Sequence, residues 1–348
     1  FTKNPYICLM KPKVAIVILN WNGQHFLERF LTLLIERTPE PWARIYVADN
    51  GSTDNSVDWM KKHFPDIPLL QFEKNTGYTG GYNKALGQIE AQYYVLLNSD
   101  VEVTPGWLPP LTGHMDLNPG CGVCMPKILS WAHPDQFEYA GACGGFIDRF
   151  GFPFCRGRIL TAIEQDHGQY DQTVSVFWAS GTCMVVRADL FHGLNGFDDH
   201  FFAHMEEIDF CWRSRWAGWD IQVVPSSAIL HVGGGTLPND SPHKLYLNYR
   251  NNLLMMYKNL SDAERFPVLA IRLMMDHLSG IAYLFQGKWN FALSVAKAHL
   301  HFWKMRKLMV RGRREKKPVL DGVMYRGSIV VRFFLSLKRT PFSTLRMQ

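Results

Sequence analysis

Val14-Ala15-Ile16-Val17-Ile18-Leu19 is an unbroken apolar run that stops at Asn20-Trp21-Asn22-Gly23. A strand without polar alternation is buried on both faces, which places it inside a parallel sheet covered by helices. Helical periodicity follows from Phe26 to Ile35 and stops at Pro39 and Pro41. The same pair of elements then recurs. Ala43 to Ala48 ends at Asp49-Asn50-Gly51-Ser52-Thr53-Asp54, whose polar side chains suit a helix start. Leu69 to Phe72 leads into Asn75-Thr76-Gly77-Tyr78-Thr79-Gly80-Gly81-Tyr82-Asn83 and another helix, and Tyr93 to Leu97 ends at Asn98-Ser99-Asp100. Four β-then-α units predict an open, mostly parallel α/β sheet. Ligands of such sheets bind at the carboxyl ends of the strands, where these polar and glycine-rich segments fall. Gly77, Gly80 and Gly81 suit close approach of a phosphate to the backbone, although an ordinary turn has the same composition.

From Gly106 to about Ser226 the pattern is irregular, and Phe177 to Val186 reads as a strand kinked at Gly181. After Pro242 the chain is helical nearly to its end. The expected division is an α/β domain over 12–240 and a helical, basic region over 241–348. With 348 residues and 47% hydrophobic content, both can bury a core.

The net charge of +6 is unevenly placed: Lys304 to Lys317 holds eight basic residues against Glu315. Such a run is a solvated helix face or a contact with an anionic membrane surface; with no nucleic-acid module beside it, nucleic acid is not the expected partner. Seven scattered cysteines fit buried thiols in a reducing compartment, and Cys121-Gly122-Val123-Cys124 has no second pair to complete a zinc site. The N-terminus carries no signal-peptide pattern, and Pro267 to Phe285 is interrupted by Arg272, Asp276 and His277. The chain reads as cytoplasmic, with peripheral contact to the inner face of the plasma membrane as the alternative to a fully soluble protein.

Phe201 to Arg213 contains Glu206, Glu207 and Asp209, three carboxylates in four residues, and His231 lies just ahead of Gly233-Gly234-Gly235. Clustered carboxylates repel one another unless a cation, a basic partner or a reaction uses them. With Asp100 and Glu102 at a strand end, they suggest a metal-assisted transfer. The plain alternative is a set of helix-surface acids paired with Arg213 and Arg215; Asp209 and Arg213 stand at i,i+4.

In this order the motifs resemble family-2 glycosyltransferases, inverting enzymes of GT-A fold, and among them bacterial members that add sugars such as rhamnose to cell-surface polysaccharides. The resemblance covers roughly Lys13 to Leu260 and rests on Val17-Ile18-Leu19-Asn20-Trp21-Asn22, Val47-Ala48-Asp49-Asn50-Gly51-Ser52-Thr53-Asp54, Asn75-Thr76-Gly77-Tyr78, Leu96-Leu97-Asn98-Ser99-Asp100-Val101-Glu102, Glu206-Glu207-Ile208-Asp209 and His231-Val232-Gly233-Gly234. Two places depart from the family pattern. Asn98 stands first in the Asp-x-Asp motif, and Glu207 stands where the family's catalytic aspartate falls.

The resemblance implies a UDP- or dTDP-sugar donor, a glycan or lipid-linked acceptor, and Mn²⁺ or Mg²⁺ held by Asp100 and His231 with Glu102 as a further oxygen. It makes Glu207 the general base. It assigns Asp49 to the donor's base, where a carboxylate accepts N3–H of uracil or thymine, and Asn98 to the ribose. Asn20, Asn75, Gly77, Gly81, Asn83 and Lys84 complete the donor site, and Trp178, Gly181 and Glu206 wall the sugar and acceptor pocket. A non-catalytic sugar- or lipid-binding module and a sugar nucleotidyltransferase are the competing classes. The latter calls for a basic, glycine-rich loop after the first strand, and Asn20-Trp21-Asn22-Gly23 is not one.

Overall fold

The computed structural model describes residues 12–233, 241–309, 320–336 and 341–347. Strand β1 (Val14–Asn20) leads to α1 (Gln24–Glu36), β2 (Ala43–Asp49) to α2 (Ser56–His63), and β3 (Leu69–Gln71) to α3 (Gly77–Leu86). Then come β4 (Tyr93–Asn98), β5 (Val101–Val103), α4 (Leu108–Leu117) and β6 (Cys121–Ser130). Strands β3, β2, β1 and β4 lie side by side in that order and all parallel. The apolar runs of β1 and β4 are buried on both faces, with Val14 to Val17 and Tyr93 to Leu97 at most 1% exposed. This is the α/β architecture the sequence predicts. Strand order reverses direction between β1 and β4, and at the carboxyl ends of strands beside such a reversal open α/β sheets bind their ligands. Register puts Asn20 opposite Asp49 and Leu19 opposite Asn98, so three polar motifs meet at one sheet edge.

A second, five-stranded sheet holds β7 (Gly145–Asp148), β8 (Pro153–Cys155), β9 (Arg158–Ile159) and β10 (Ala162–Ile163). The main sheet continues through β11 (Val174–Ser175) and β12 (Cys183–Arg187), which is antiparallel to β4 and β6. The strand expected over Phe177 to Val186 is therefore shorter. Its first half leaves the main sheet because the Trp178 backbone pairs with Gly145 and the Gly181 carbonyl accepts the Tyr78 hydroxyl at 2.7 Å.

Helix α5 (Ala188–Gly193) precedes α6 (Glu206–Trp216), and β13 (Asp220–His231) runs parallel to β6 and carries β5 on its end. Three long helices follow: α7 (Pro242–Asn259), α8 (Asp262–Phe285) and α9 (Trp289–Met305). Strand β14 (Met324–Tyr325) returns to pair with β7, and α10 (Ile329–Leu335) begins where Asp148 accepts the Ile329 N–H. The six described cysteines are free and buried, and burial pushes the Cys124 thiol well above its usual range. Part of the basic run, 310–319, lies outside the described residues.

Helix α8 is seated through a buried ion pair. Arg272 donates to Asp276 at 2.8 Å, to Asn252 Oδ1 at 2.6 Å and to the Phe150 carbonyl at 3.1 Å. Asp276 is 1% exposed, so removing it leaves a guanidinium charge inside the protein. Losing one partner of such a pair costs about 3–5 kcal/mol. Asp276→Ala is therefore expected to lower the urea midpoint by that much stability at an unchanged slope. A cost under about 1 kcal/mol would mean that α8 is seated by packing alone.

Candidate active site

A polar network closes the sheet edge. The Asn20 amide donates to Asp49 Oδ2 at 3.1 Å, and Asp49 Oδ1 accepts the Ser52 N–H at 2.9 Å. The Asn50 amide donates to Asn75 Oδ1 at 3.1 Å and to the Gly77 carbonyl at 2.9 Å, tying β2 to the start of α3. Asn75 Oδ1 also accepts the Gly77 N–H at 2.7 Å.

Packing alone requires two of the glycines. Gly77 has φ +76°, and a Cβ there would stand 2.3 Å from the Phe202 carbonyl oxygen. At Gly81 it would stand 2.7 Å from Leu19, so this glycine lets α3 close on β1. Asn83 is likewise occupied by protein, donating to the Phe197 carbonyl and to Asp199 and accepting the Phe197 N–H. Exposed Lys84 lies over the Phe72 ring.

Asp100 and His231 meet where β5 runs beside the end of β13. His231 Nε2 lies 3.2 Å from Asp100 Oδ1, and Nδ1 lies 3.3 Å from Glu138 Oε2. All three residues are buried. Burial pulls the imidazole pKa down, but contacts with Asp100 and Glu138 outweigh it and lift it to about 10. Two ligands at right angles on an octahedral cation with bonds near 2.1 Å stand ~3 Å apart, the spacing Asp100 Oδ1 and His231 Nε2 present. Among the described residues no group of three His, Cys, Asp or Glu side chains is arranged around one metal position. Any further ligands would then be water and diphosphate oxygens. Glu102 is not one of them: Arg37 donates to it at 2.8 Å and Trp131 Nε1 at 2.9 Å, so its carboxylate is spent on α1's end and that indole.

The turn before helix α6 is strained. Phe202, His204 and Met205 have φ of 67°, 70° and 73°, a left-handed region costly for side-chain-bearing residues. Helix α7 sustains this turn: the Asn251 amide nitrogen reaches the carbonyls of Phe201, Ala203 and His204 within 2.9 Å, and Arg250 reaches that of Phe201. Half-buried His204 has a buried Nε2 with no hydrogen-bond partner, and burial, then Lys244 and His243, lower its pKa to about 4.

The first turn of α6 carries Glu206 and Glu207, each with a buried Oε2 that has no hydrogen-bond partner. Burial lifts Glu207 to about 7 and, reinforced by the charges of Glu207 and Asp209, raises Glu206 well above the usual carboxylate range. Both lie near the buried Tyr78 phenol, which binds Gly181 and so links α6 to the β4 end. Asp209 takes the structural role instead, held by Arg213 at 2.7 Å, Lys258 at 3.0 Å and Asn259 at 2.7 Å. Trp178 does not offer a face to a sugar: it is 4% exposed, donates its indole N–H to the Phe146 carbonyl and packs on Gly145.

Sequence reasoning missed Glu138, Arg250, Asn251 and Lys258. The signal for Arg250 and Asn251 is the polar set Arg250-Asn251-Asn252 inside an otherwise amphipathic helix; Glu138, in an irregular loop, leaves none.

A carboxyl group whose folded pKa is raised binds its proton more tightly in the native state, so its contribution to stability is lost as pH rises through that value. The pair should therefore destabilise the fold from about pH 4.5 upward, increasingly through neutrality. Glu206→Gln is expected to raise the melting temperature at pH 8 more than at pH 5. An equal change at both, followed calorimetrically, would show that Glu206 is not buried as a strained acid.

Residues 15–192 match the profile described as Glycosyl transferase family 2. The chain is 26% identical over 332 residues to the N-acetylglucosaminyl-diphospho-decaprenol L-rhamnosyltransferase of Mycobacterium tuberculosis, covering 90% of this chain and 99% of that one. It is 23% identical to the low-salt glycan biosynthesis hexosyltransferase Agl10 of Haloferax volcanii, over 84% and 91% of the two chains. In fold it is similar to residues 1–349 of S. aureus TarS in complex with UDP-GlcNAc, with TM-score 0.56, 17% identity and 84% and 80% of the chains covered. It is also similar to GalNAc-T7 with UDP, GalNAc and Mn²⁺, with TM-score 0.55, 15% identity and 72% and 48% covered. The family match over half the chain leads to one conclusion: this chain is a glycosyltransferase and belongs to glycosyl transferase family 2.

Proposed function

We propose that the chain moves a sugar from a UDP- or dTDP-sugar to a hydroxyl of a lipid-linked saccharide, with inversion at the anomeric carbon, during cell-surface polysaccharide assembly at the cytoplasmic face of the membrane. The observation that carries this reading is the Glu206–Glu207 pair in the first turn of α6, each with a buried Oε2 that has no hydrogen-bond partner. The acceptor class follows from the mycobacterial relative, whose name specifies a saccharide on a diphospho-decaprenol carrier and L-rhamnose as the sugar moved. The donor class is supported by the UDP and UDP-GlcNAc bound in the fold neighbours.

Glu207 removes the acceptor's hydroxyl proton. Its pKa near 7 suits a base working at neutral pH, and burial beside Glu206, itself raised well above the usual carboxylate range, keeps it there. Bound between Asp100 and His231 Nε2, Mg²⁺ or Mn²⁺ would supply positive charge opposite the departing diphosphate. Glu138, facing Nδ1, fixes the imidazole's orientation so that Nε2 faces Asp100. Asp49 reads the donor's base: a carboxylate has about four acceptor positions, and the Asn20 amide and the Ser52 N–H take two. Gly181 and Glu206 line the sugar and acceptor side. Asn98 holds the ribose.

Glu207→Gln should lower the transfer rate by roughly 10²–10⁴ while sparing donor affinity, because a general base acts mainly in the transition state. In the unaltered enzyme the rate should rise with pH to a plateau above about 7, and the variant should lose that limb. NMR of the product should show the anomeric configuration inverted. Full activity in the variant, or retained configuration, would overturn the assignment.

Asp100→Ala and His231→Ala should each weaken UDP binding measured calorimetrically with Mn²⁺ present, and should make that binding insensitive to EDTA. Glu138→Gln should cost about 10–100-fold in Mn²⁺ affinity, the range for losing a histidine's supporting carboxylate. Unchanged Mn²⁺ affinity in all three would remove the metal from this site.

A further inference from the structure

The outward faces of α8 and α9 have no partner within the described fold. On α8, Met274, Leu278, Ile281 and Phe285 are exposed at steps of four, three and four residues, forming one stripe. The stripe lies opposite Arg272 and Asp276, which face the catalytic domain. On α9, Trp289, Leu293, Leu300 and Trp303 are each at least half exposed and again share one face. The two helices form a hairpin joined at Gly287 and Lys288. With each large side chain baring on the order of 100 Å², this surface exceeds the few hundred Å² that soluble monomers leave apolar.

Charge identifies what covers it. Between Asp276 and Glu315 the sequence contains no acidic residue, whereas Lys288, Lys297, Lys304, Arg306 and Lys307 all fall on or beside the hairpin. The hairpin's own carboxylates are already engaged, Asp262 by Arg265, Glu264 by Ser261 and Asp276 by Arg272, so a second copy docked stripe against stripe would bring these cations together without matching counter-charge. An anionic lipid surface supplies the missing counter-charge and an apolar layer beneath it. Trp289 and Trp303 stand at the two ends of α9, positions where indoles anchor a helix lying in the headgroup layer.

Helix α8 is long and apolar enough to cross a membrane, with a mean hydropathy of 1.4 over its most apolar window. Its inner face is fixed to the catalytic domain by Arg272 and to α7 by the Tyr249–Ser279 hydrogen bond. It therefore offers a face to the membrane instead of spanning it.

We propose that the outer face of the α8–α9 hairpin docks on the surface of an anionic bilayer. The proposal stands on this surface alone, whatever the donor or acceptor.

The test is sedimentation of the full chain, without substrates, with phosphatidylglycerol-containing or pure phosphatidylcholine vesicles. The chain should bind the anionic vesicles and release at high salt. Leu278→Glu with Leu293→Glu should abolish binding while leaving the melting temperature unchanged, since both side chains are exposed. Lys304→Ala and Lys307→Ala should each weaken partitioning about fivefold. Brominated lipids should quench tryptophan fluorescence in the unaltered chain, a readout that needs no variant to fold. Equal binding by the glutamate variant would overturn the proposal, as would no binding to either vesicle. So would a dimer in light scattering that the glutamate pair dissociates while vesicle binding is absent. None of these outcomes bears on sugar transfer, which is assayed separately with a soluble acceptor.

Discussion

The site depends on keeping two adjacent carboxylates out of water without giving them a cation. Glu206 and Glu207 sit at a helix N-terminus, where backbone N–H groups partly offset the charge, yet burial still dominates and raises both. Such a pair invites collapse of the turn that presents it, particularly one with three left-handed residues. The restraint comes from α7, whose Asn251 and Arg250 hold the carbonyls of that turn and whose Lys258 neutralises Asp209 and Asp198. Charge is thus balanced one turn further along α6, leaving the first turn unbalanced. A helix beyond the family-matched segment therefore sets the chemistry of the site.

The sheet was legible because each central strand is apolar throughout and each ends at a polar motif; burial on both faces demands that composition. Register then did the rest, bringing Asn20, Asp49 and Asn98 together without further information. Asp100 and His231 were joined only by the family resemblance, and it is the pairing of β5 with β13 that places them at one end. The short strand β12 was overestimated because the aromatic run at Phe177 and Trp178 suits either sheet equally.

What the residues could not show is which way a side chain turns when competing partners lie far off in sequence. Glu102 sits two residues from Asp100, but Arg37 and Trp131, distant along the chain, claim it. Gly77 and Gly81 have the composition of a phosphate loop, and only the third dimension reveals Phe202 and Leu19 in the space a side chain would need. Trp178 illustrates the ambiguity of aromatics, which serve a core and a sugar face with the same chemistry. Glu138 is the converse case, a residue in an irregular loop that gains its meaning only from His231.

Helix α7 also connects the two halves of the protein's work. One side clamps the turn before α6, and the other binds α9 through Tyr246 and His301 and α8 through Tyr249 and Ser279. The hairpin with the bare apolar face is thus one helix away from Glu206 and Glu207, through contacts between packed helices. The acceptor proposed above, carried on a lipid, would require the site to approach the membrane repeatedly without being deformed. Force or displacement at the hairpin would reach the Glu206 turn through Arg250 and Asn251, so the polar clamp must be stiff as well as correctly placed. Its direct hydrogen bonds to backbone carbonyls have that stiffness, which apolar contact at the same positions, lacking direction, would not provide.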